Sequence, residues 1–231
     1  MLRHKKVVSA LTQGLSADWN DDHHFDPTDE IDFSTTFCEF VLADAWNAAQ
    51  TTGATAPTVS LVSGHAFLVL DSTADVGDIA TVRFMLAGSA GDITNKTDLP
   101  VATFALDVAT PGAAGTTHEF GFFRNADTPF TANQRGAYFR IAANVLYAVT
   151  GDGAAETTTN LGAPNQYDVY RIEFTSTQVR FYVGSLSTID ATHTANITTA
   201  DLTMKLSTIG VAAGAQIMRS DFAGLTRLRK Q

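Results

Sequence analysis

Between Asp18 and Asp26 the chain gathers Asp18, Asp21, Asp22, His23, His24 and Asp26. Clustered carboxylate oxygens suit hard cations, and imidazole suits zinc. No glycine shapes the stretch into a cation loop, its spacing matches no standard site, and no metal ligand is assigned. The same stretch carries Trp19 and Asn20, and it reads as a polar arm whose indole fills a pocket on a partner. Nucleophilic catalysis would need Ser or Cys beside a His oriented by an acid. The single cysteine, Cys38, sits in an alternating segment and reads as a packing residue; alone, it excludes an internal disulfide or a multi-cysteine metal centre. His65, His118 and His193 are isolated, each in or beside an expected strand, and are read as hydrogen-bonded structural residues. There is no Gly-x-Ser-x-Gly, no phosphate-cradling Gly-rich loop and no His-Glu-x-x-His. The 15 Phe residues supply core bulk, and with Tyr138, Tyr147, Tyr170 and Tyr182 some are candidates to face a sugar.

The elements that must position these residues follow from composition and period. The 231 residues carry 32 Thr and 34 Ala but only 5 Lys and 10 Arg. β-Branched Thr favours strands, while Lys and Glu, the usual fillers of exposed helix faces, are scarce. A net charge of −9 argues against nucleic acid as a partner, because phosphate binding concentrates Lys and Arg. No apolar run approaches the roughly 18 residues of a membrane span, so no membrane insertion is expected. The opening MLRHKKVVSALTQ is basic but too broken for a cleaved leader. Residues 1–30 lack sustained periodicity and form the expected docking arm; residues 31–231 form the expected domain. Ala43–Gln50 is the one helical stretch, about two turns long. From Ile31, and again after Pro57, period-two alternation recurs with turn residues between. Strands are expected near 58–62, 65–71, 78–86, 101–108, 117–124, 136–142, 145–150, 155–161, 167–175, 178–184, 190–196, 202–209 and 216–228. Gly151-Asp152-Gly153-Ala154 should close one hairpin. In a second, Tyr170, Ile172 and Phe174 face the same way as Val179, Phe181 and Val183. About a dozen short strands with one short helix predict an all-β, antiparallel two-sheet sandwich or jelly roll.

A run of segments carries a resemblance: Phe120-Gly121-Phe122-Phe123, Gly136-Ala137-Tyr138-Phe139-Arg140, Asn144–Val149, Thr157–Gly162, Tyr170–Phe174, Val179–Gly184, Thr192–Ile197 and Ser220-Asp221-Phe222. In that order they resemble the concanavalin A-like lectin/glucanase jelly-roll modules of tailed-bacteriophage virion proteins, over about residues 117–227. His4-Lys5-Lys6-Val7 followed by Asp18-Trp19-Asn20-Asp21-Asp22-His23 is similar to the N-terminal segment of phage tail-fibre and minor structural proteins. The resemblance implies a structural, non-enzymatic virion protein that decorates a capsid or forms part of a tail or fibre. His4, Lys5, Asp18, Trp19, Asn20 and His23 would dock the arm on other virion proteins, and the chain would assemble with itself, a homotrimer being the leading expectation. The alternative is a glycan-binding host-receptor module on the virion surface. Retaining glucanases of this fold carry Glu-x-Asp-x-(x)-Glu on one strand, as nucleophile and acid/base. Glu30-Ile31-Asp32 starts that pattern, but Ser34 and Thr35 stand where the second Glu belongs. A hydroxyl cannot protonate a leaving group as a carboxylic acid does, so no catalytic residue is carried over. The superfamily's lectins bind calcium and manganese through Asp, Asn and His; no equivalent run occurs in the later half, and no cofactor is expected.

Overall fold

The computed structural model describes residues 31–36, 46–50, 58–62, 65–72, 75–84, 94–108, 116–211 and 216–227. Among them are fifteen strands: β1 (Ile31–Thr36), β2 (Trp46–Gln50), β3 (Thr58–Val62), β4 (His65–Asp71), β5 (Ile79–Phe84), β6 (Val101–Val108), β7 (Thr116–Phe123), β8 (Gly136–Ala142), β9 (Val145–Gly151), β10 (Glu156–Gly162), β11 (Tyr167–Phe174), β12 (Val179–Val183), β13 (Ala191–His193), β14 (Thr203–Ile209) and β15 (Ile217–Arg227). All pairings are antiparallel. One sheet runs β13-β12-β11-β6-β15-β4-β3, with β1 on the C-terminal half of β15. The other runs β10-β9-β8-β7-β14-β5-β2.

The two sheets meet through aromatic rings. Phe120 of β7 lies 5.8 Å from Phe104 and 4.9 Å from Tyr170, across the sandwich. Phe139 of β8 lies 5.2 Å from Tyr170 and 5.4 Å from Phe181. Edge-on and tilted geometry suits the ring quadrupoles, and each buried Phe contributes about 1.5–3 kcal/mol by leaving water. The β11–β12 hairpin has the expected register: Tyr170 pairs Val183, Ile172 pairs Phe181 and Phe174 pairs Val179. Phe174 and Phe181 are buried together.

Two expectations need correction. Trp46–Gln50, read as part of a helix, is a strand paired with β5, from Trp46 opposite Phe84 to Gln50 opposite Ala80. The Ala-rich stretch has helical propensity, but two isolated turns are unstable in water and the β5 ladder satisfies the same backbone groups. The strand expected at 190–196 is only Ala191–His193, because its partner β12 begins at Val179, opposite His193, and Asn196 beyond turns at φ 52°. The only helical turn among the described residues is the 3-10 turn Lys96–Asp98. Residues 1–30, and with them His4, Lys5, Asp18, Trp19, Asn20, His23 and the acidic cluster, lie outside the described residues, as does Cys38.

Candidate functional site

Acid–base chemistry on this architecture would need carboxylates on the open face of a sheet. The seven-stranded sheet carries two there, and both are engaged. Glu119 of β7 is fully buried. Its Oε1 accepts from Arg140 Nε at 2.9 Å; its Oε2 accepts from Gln134 Nε2 at 2.7 Å and from the Phe130 N–H at 2.8 Å. Glu156 of β10 accepts from both terminal nitrogens of Arg140, at 3.0 and 3.1 Å, from Tyr138 Oη at 2.8 Å and from the Asn133 N–H at 3.0 Å. Burial raises the Glu119 carboxyl, against the pull of Arg140. Burial also opposes ionisation of Glu156, but the hydrogen bonds from Arg140 and Tyr138 win and hold it below the usual carboxylate range.

The donors Phe130, Asn133 and Gln134 belong to segment 124–135, which folds over this face. Lys205 pins it from below, donating to the carbonyls of Arg124, Asn125 and Asp127 at 2.9, 2.9 and 3.0 Å. Phe130 and Asn133 take positive φ of 62° and 58°, a cost the two carboxylates help to offset. The arrangement fastens a loop through Glu119 Oε2 and ties Oε1 to Arg140 of β8, so neither Glu119 oxygen is left over.

Open chemistry lies at the ends of the sandwich instead. The β9–β10 hairpin of one sheet faces the β11–β12 hairpin of the other across the sandwich, so the starts of β9 and β11 meet the ends of β10 and β12. There a cavity of about 440 Å³ is lined by Asn160, Asn165, Asp168, Gly184 and Asp190 over an aliphatic floor of Leu146, Leu161 and Val183. Asp168 accepts from Asn165 Nδ2 and from the Val169 N–H, both at 2.8 Å. Gly184, at φ +70°, donates its N–H to Val169 O at 2.8 Å. A Cβ there would stand 3.3 Å from Asp168 Oδ1, so glycine keeps the space above that carboxylate open. Asp190 accepts from the Val183 N–H at 2.7 Å, and Asn160 Oδ1 from the Gly162 N–H at 2.8 Å, leaving the Asn160 amide donors free for a guest. Beneath, the buried Tyr170 hydroxyl has no hydrogen-bond partner; burial, then the Asp168 charge, pushes its ionisation up. The segments lining the cavity also expose Tyr167 (51%), Ile189 (46%) and Leu186 (37%), three of the four exposed large apolar side chains among the described residues. Among those residues no three His, Cys, Asp or Glu side chains form a metal-holding group.

Between the two ends, His193 joins the sheets. Its Nδ1 meets Thr150 Oγ1 at 3.0 Å and its Nε2 meets Thr159 Oγ1 at 2.9 Å. Thr150 gives its one proton to Ala195 O at 3.0 Å, so Nδ1 must be the donor and Nε2 accepts from Thr159. Burial lowers the His193 pKa and favours this neutral form. His193 is thus the hydrogen-bonded structural histidine expected of it. His118 is not: it is fully buried and neither ring nitrogen has a partner. The end cavity went unrecognised in the sequence, since its residues come from separate turns and form no motif.

This architecture is the concanavalin A-like jelly roll, the fold the sequence resemblance implied. Neither a family model nor a curated protein matches the chain. Solved structures do. A native glycosidic hydrolase is 12% identical with a TM-score of 0.58, over 86% of this chain and 96% of that one. The β-glucanase of Bacillus licheniformis is 13% identical with a TM-score of 0.56, over 86% and 98%. The exoplasmic/lumenal domain of VIP36, in a Ca2+/Man3GlcNAc-bound form, is 8% identical with a TM-score of 0.55, over 86% and 89%. At these identities the likeness shows the fold alone. It also corrects the expectation of a non-enzymatic chain: a glycosidic hydrolase and a β-glucanase stand beside a Man3GlcNAc-bound domain among the similar structures, and the fold alone does not separate the two.

Proposed function

We propose that the protein is a glycan-binding jelly-roll module whose saccharide site is the cavity framed by Asn160, Asn165, Asp168, Gly184 and Asp190. The observation that carries this reading is the chemistry of that cavity. Carboxylates and amides with spare hydrogen-bonding capacity suit paired sugar hydroxyls, and the aliphatic floor of Leu146, Leu161 and Val183 suits the C–H face of a pyranose. The similar structures, which include a saccharide-bound domain, support it. The resemblance of the sequence to virion proteins supports siting the module on the surface of a phage-type particle, with residues 1–30 docking it on capsid or tail proteins and three copies meeting at a local three-fold.

A glycan array followed by calorimetry on the best neutral saccharide tests the reading. Asp190→Asn, which keeps an acceptor for the Val183 N–H, and Asn160→Asp, which keeps the acceptor for the Gly162 N–H but removes the amide donors, should each weaken binding about tenfold or more while leaving the melting temperature nearly unchanged. Binding untouched by both variants, or no saccharide bound at all, would refute it. Release of reducing ends from a bound polysaccharide would add hydrolysis to the role. Absence of the protein from purified particles would remove the virion siting.

A further inference from the structure

We propose that the cavity at the opposite end of the sandwich binds the acidic group of an acidic saccharide, with Lys96 as its counter-ion. The proposal rests on the saccharide-binding reading above and adds a second site with a different charge preference.

This cavity, about 260 Å³, lies where β9, β11 and β13 end and β10 and β12 begin. Lys96 enters it from the 3-10 turn before β6, and that turn is held firmly. Asn95 Oδ1 accepts from the Thr97 N–H at 3.0 Å, Asp98 Oδ2 accepts from the Asn95 N–H at 3.0 Å, and Asn95 Nδ2 donates to Asp201 at 3.1 Å. The Lys96 ammonium itself takes part in none of the ion pairs among the described residues. In a chain with 24 acidic side chains and 5 lysines, this half-buried lysine keeps its charge available to an anion from outside.

The facing wall offers donors. Thr175 closes its own turn: its hydroxyl donates to Gln178 O at 3.0 Å and accepts from the Gln178 N–H at 3.1 Å. That leaves the hydroxyls of Ser176, Thr177 and Thr194, all lining the cavity, without a partner inside the protein. One acid, Asp152, shares the wall. Its Oδ1 accepts the N–H groups of Ala154 and Ala155 at 2.8 and 2.9 Å, so its charge is turned toward its own loop. One ammonium with several hydroxyl donors matches a carboxylate or sulfate ester. The other end, with Asp168 and Asp190 and no cation in its lining, would repel the same group. The two ends therefore divide saccharides by charge.

Titration of the full chain with a glucuronate-containing oligosaccharide, its neutral glucose counterpart and sodium sulfate tests this. The acidic oligosaccharide should bind, and Lys96→Ala should weaken it about tenfold or more, with Lys96→Arg restoring most of the loss. Raising salt from about 0.05 to about 0.5 M should weaken it as well. No binding of the acidic oligosaccharide, equal binding by the Lys96→Ala variant, or sulfate alone competing as well as the oligosaccharide would each overturn the proposal. Loss of neutral-sugar binding with the Lys96-dependent acidic binding intact would sink the first reading and leave this one standing.

Discussion

His118 is a basic side chain held where a proton is costly, and that makes acid stability a direct probe of the fold. It shares the core-facing side of β7 with Phe120 and Phe122, pairs Thr208 and Ile141 across the strands, and has a partner for neither ring nitrogen. Desolvation by burial lowers its pKa from 6.5 to about 3. The unfolded chain therefore binds a proton that the folded chain refuses. Stability is unaffected by this group above pH 6.5 and is lost as pH falls from 6.5 toward 3, by about 1.4 kcal/mol per unit. Between pH 8 and pH 5 the loss comes to about 2 kcal/mol. His118→Leu, nearly equal in volume, removes both this loss and the unmade hydrogen bonds, so it should be more stable by about 1–3 kcal/mol at pH 8. Urea unfolding of both proteins at pH 8 and pH 5 measures the two effects. Glu119, whose raised pKa acts with the opposite sign, is common to both and cancels in the difference. An identical drop from pH 8 to pH 5 in the two proteins would show that His118 is not the buried, unpartnered group described.

Other perturbations read other parts of the structure. Phe181→Ala, beneath Phe139 and beside His193, should cost about 3–5 kcal/mol in chemical denaturation. Arg140→Met should cost about 3–5 kcal/mol at neutral pH by leaving buried Glu119 without its cation, and less in acid, where Glu119 takes up a proton. Lys205→Met should release segment 124–135, seen as faster amide exchange of Arg135, whose N–H is otherwise held at 2.8 Å by Asp127 Oδ2, while the β11–β12 hairpin stays protected.

Strands proved legible where both faces of a strand have distinct tasks. Tyr170–Phe174 and Val179–Val183 alternate because one face packs against Phe139 while Arg171, Glu173 and Tyr182 form a polar row outside, with Tyr182 Oη donating to Glu173 at 2.6 Å. Gly153, at φ +96°, and Asp152, accepting from two N–H groups, make the β9–β10 turn recognisable from four residues. The reading failed where local propensity and tertiary pairing disagree. Trp46–Gln50 has an alanine-rich, helix-favouring composition, and only the neighbouring β5 makes it a strand. The assignment of His118 as hydrogen-bonded failed for a related reason. A residue type implies a partner, but whether one arrives depends on what the opposite sheet places there.

The sites were less legible than the strands because this fold separates spacing in sequence from nearness in space. A carboxylate pair sought at alternate positions of one strand, as at Glu30 and Asp32, presumes that one strand carries the chemistry. Glu119 and Glu156 instead meet through Arg140 from different strands, and the meeting is spent on holding a loop. That closure leaves the accessible polar groups at the hairpin ends, where Asn160 and Asp190 already accept backbone N–H groups and Asn165 holds Asp168. An asparagine that caps a turn with its oxygen still has its amide donors to offer, as Asn160 does beyond Gly162. Each such residue looks like a turn former in the sequence, and only the facing of one sheet's hairpin on the other's makes them a surface. The strand β13 then gains a role beyond its three residues: Asp190 just before it lines one cavity and Thr194 just after it lines the other, with His193 clasping it to β9 and β10 between them. Breaking that clasp should disturb both ends together, whereas a change at either rim should stay local.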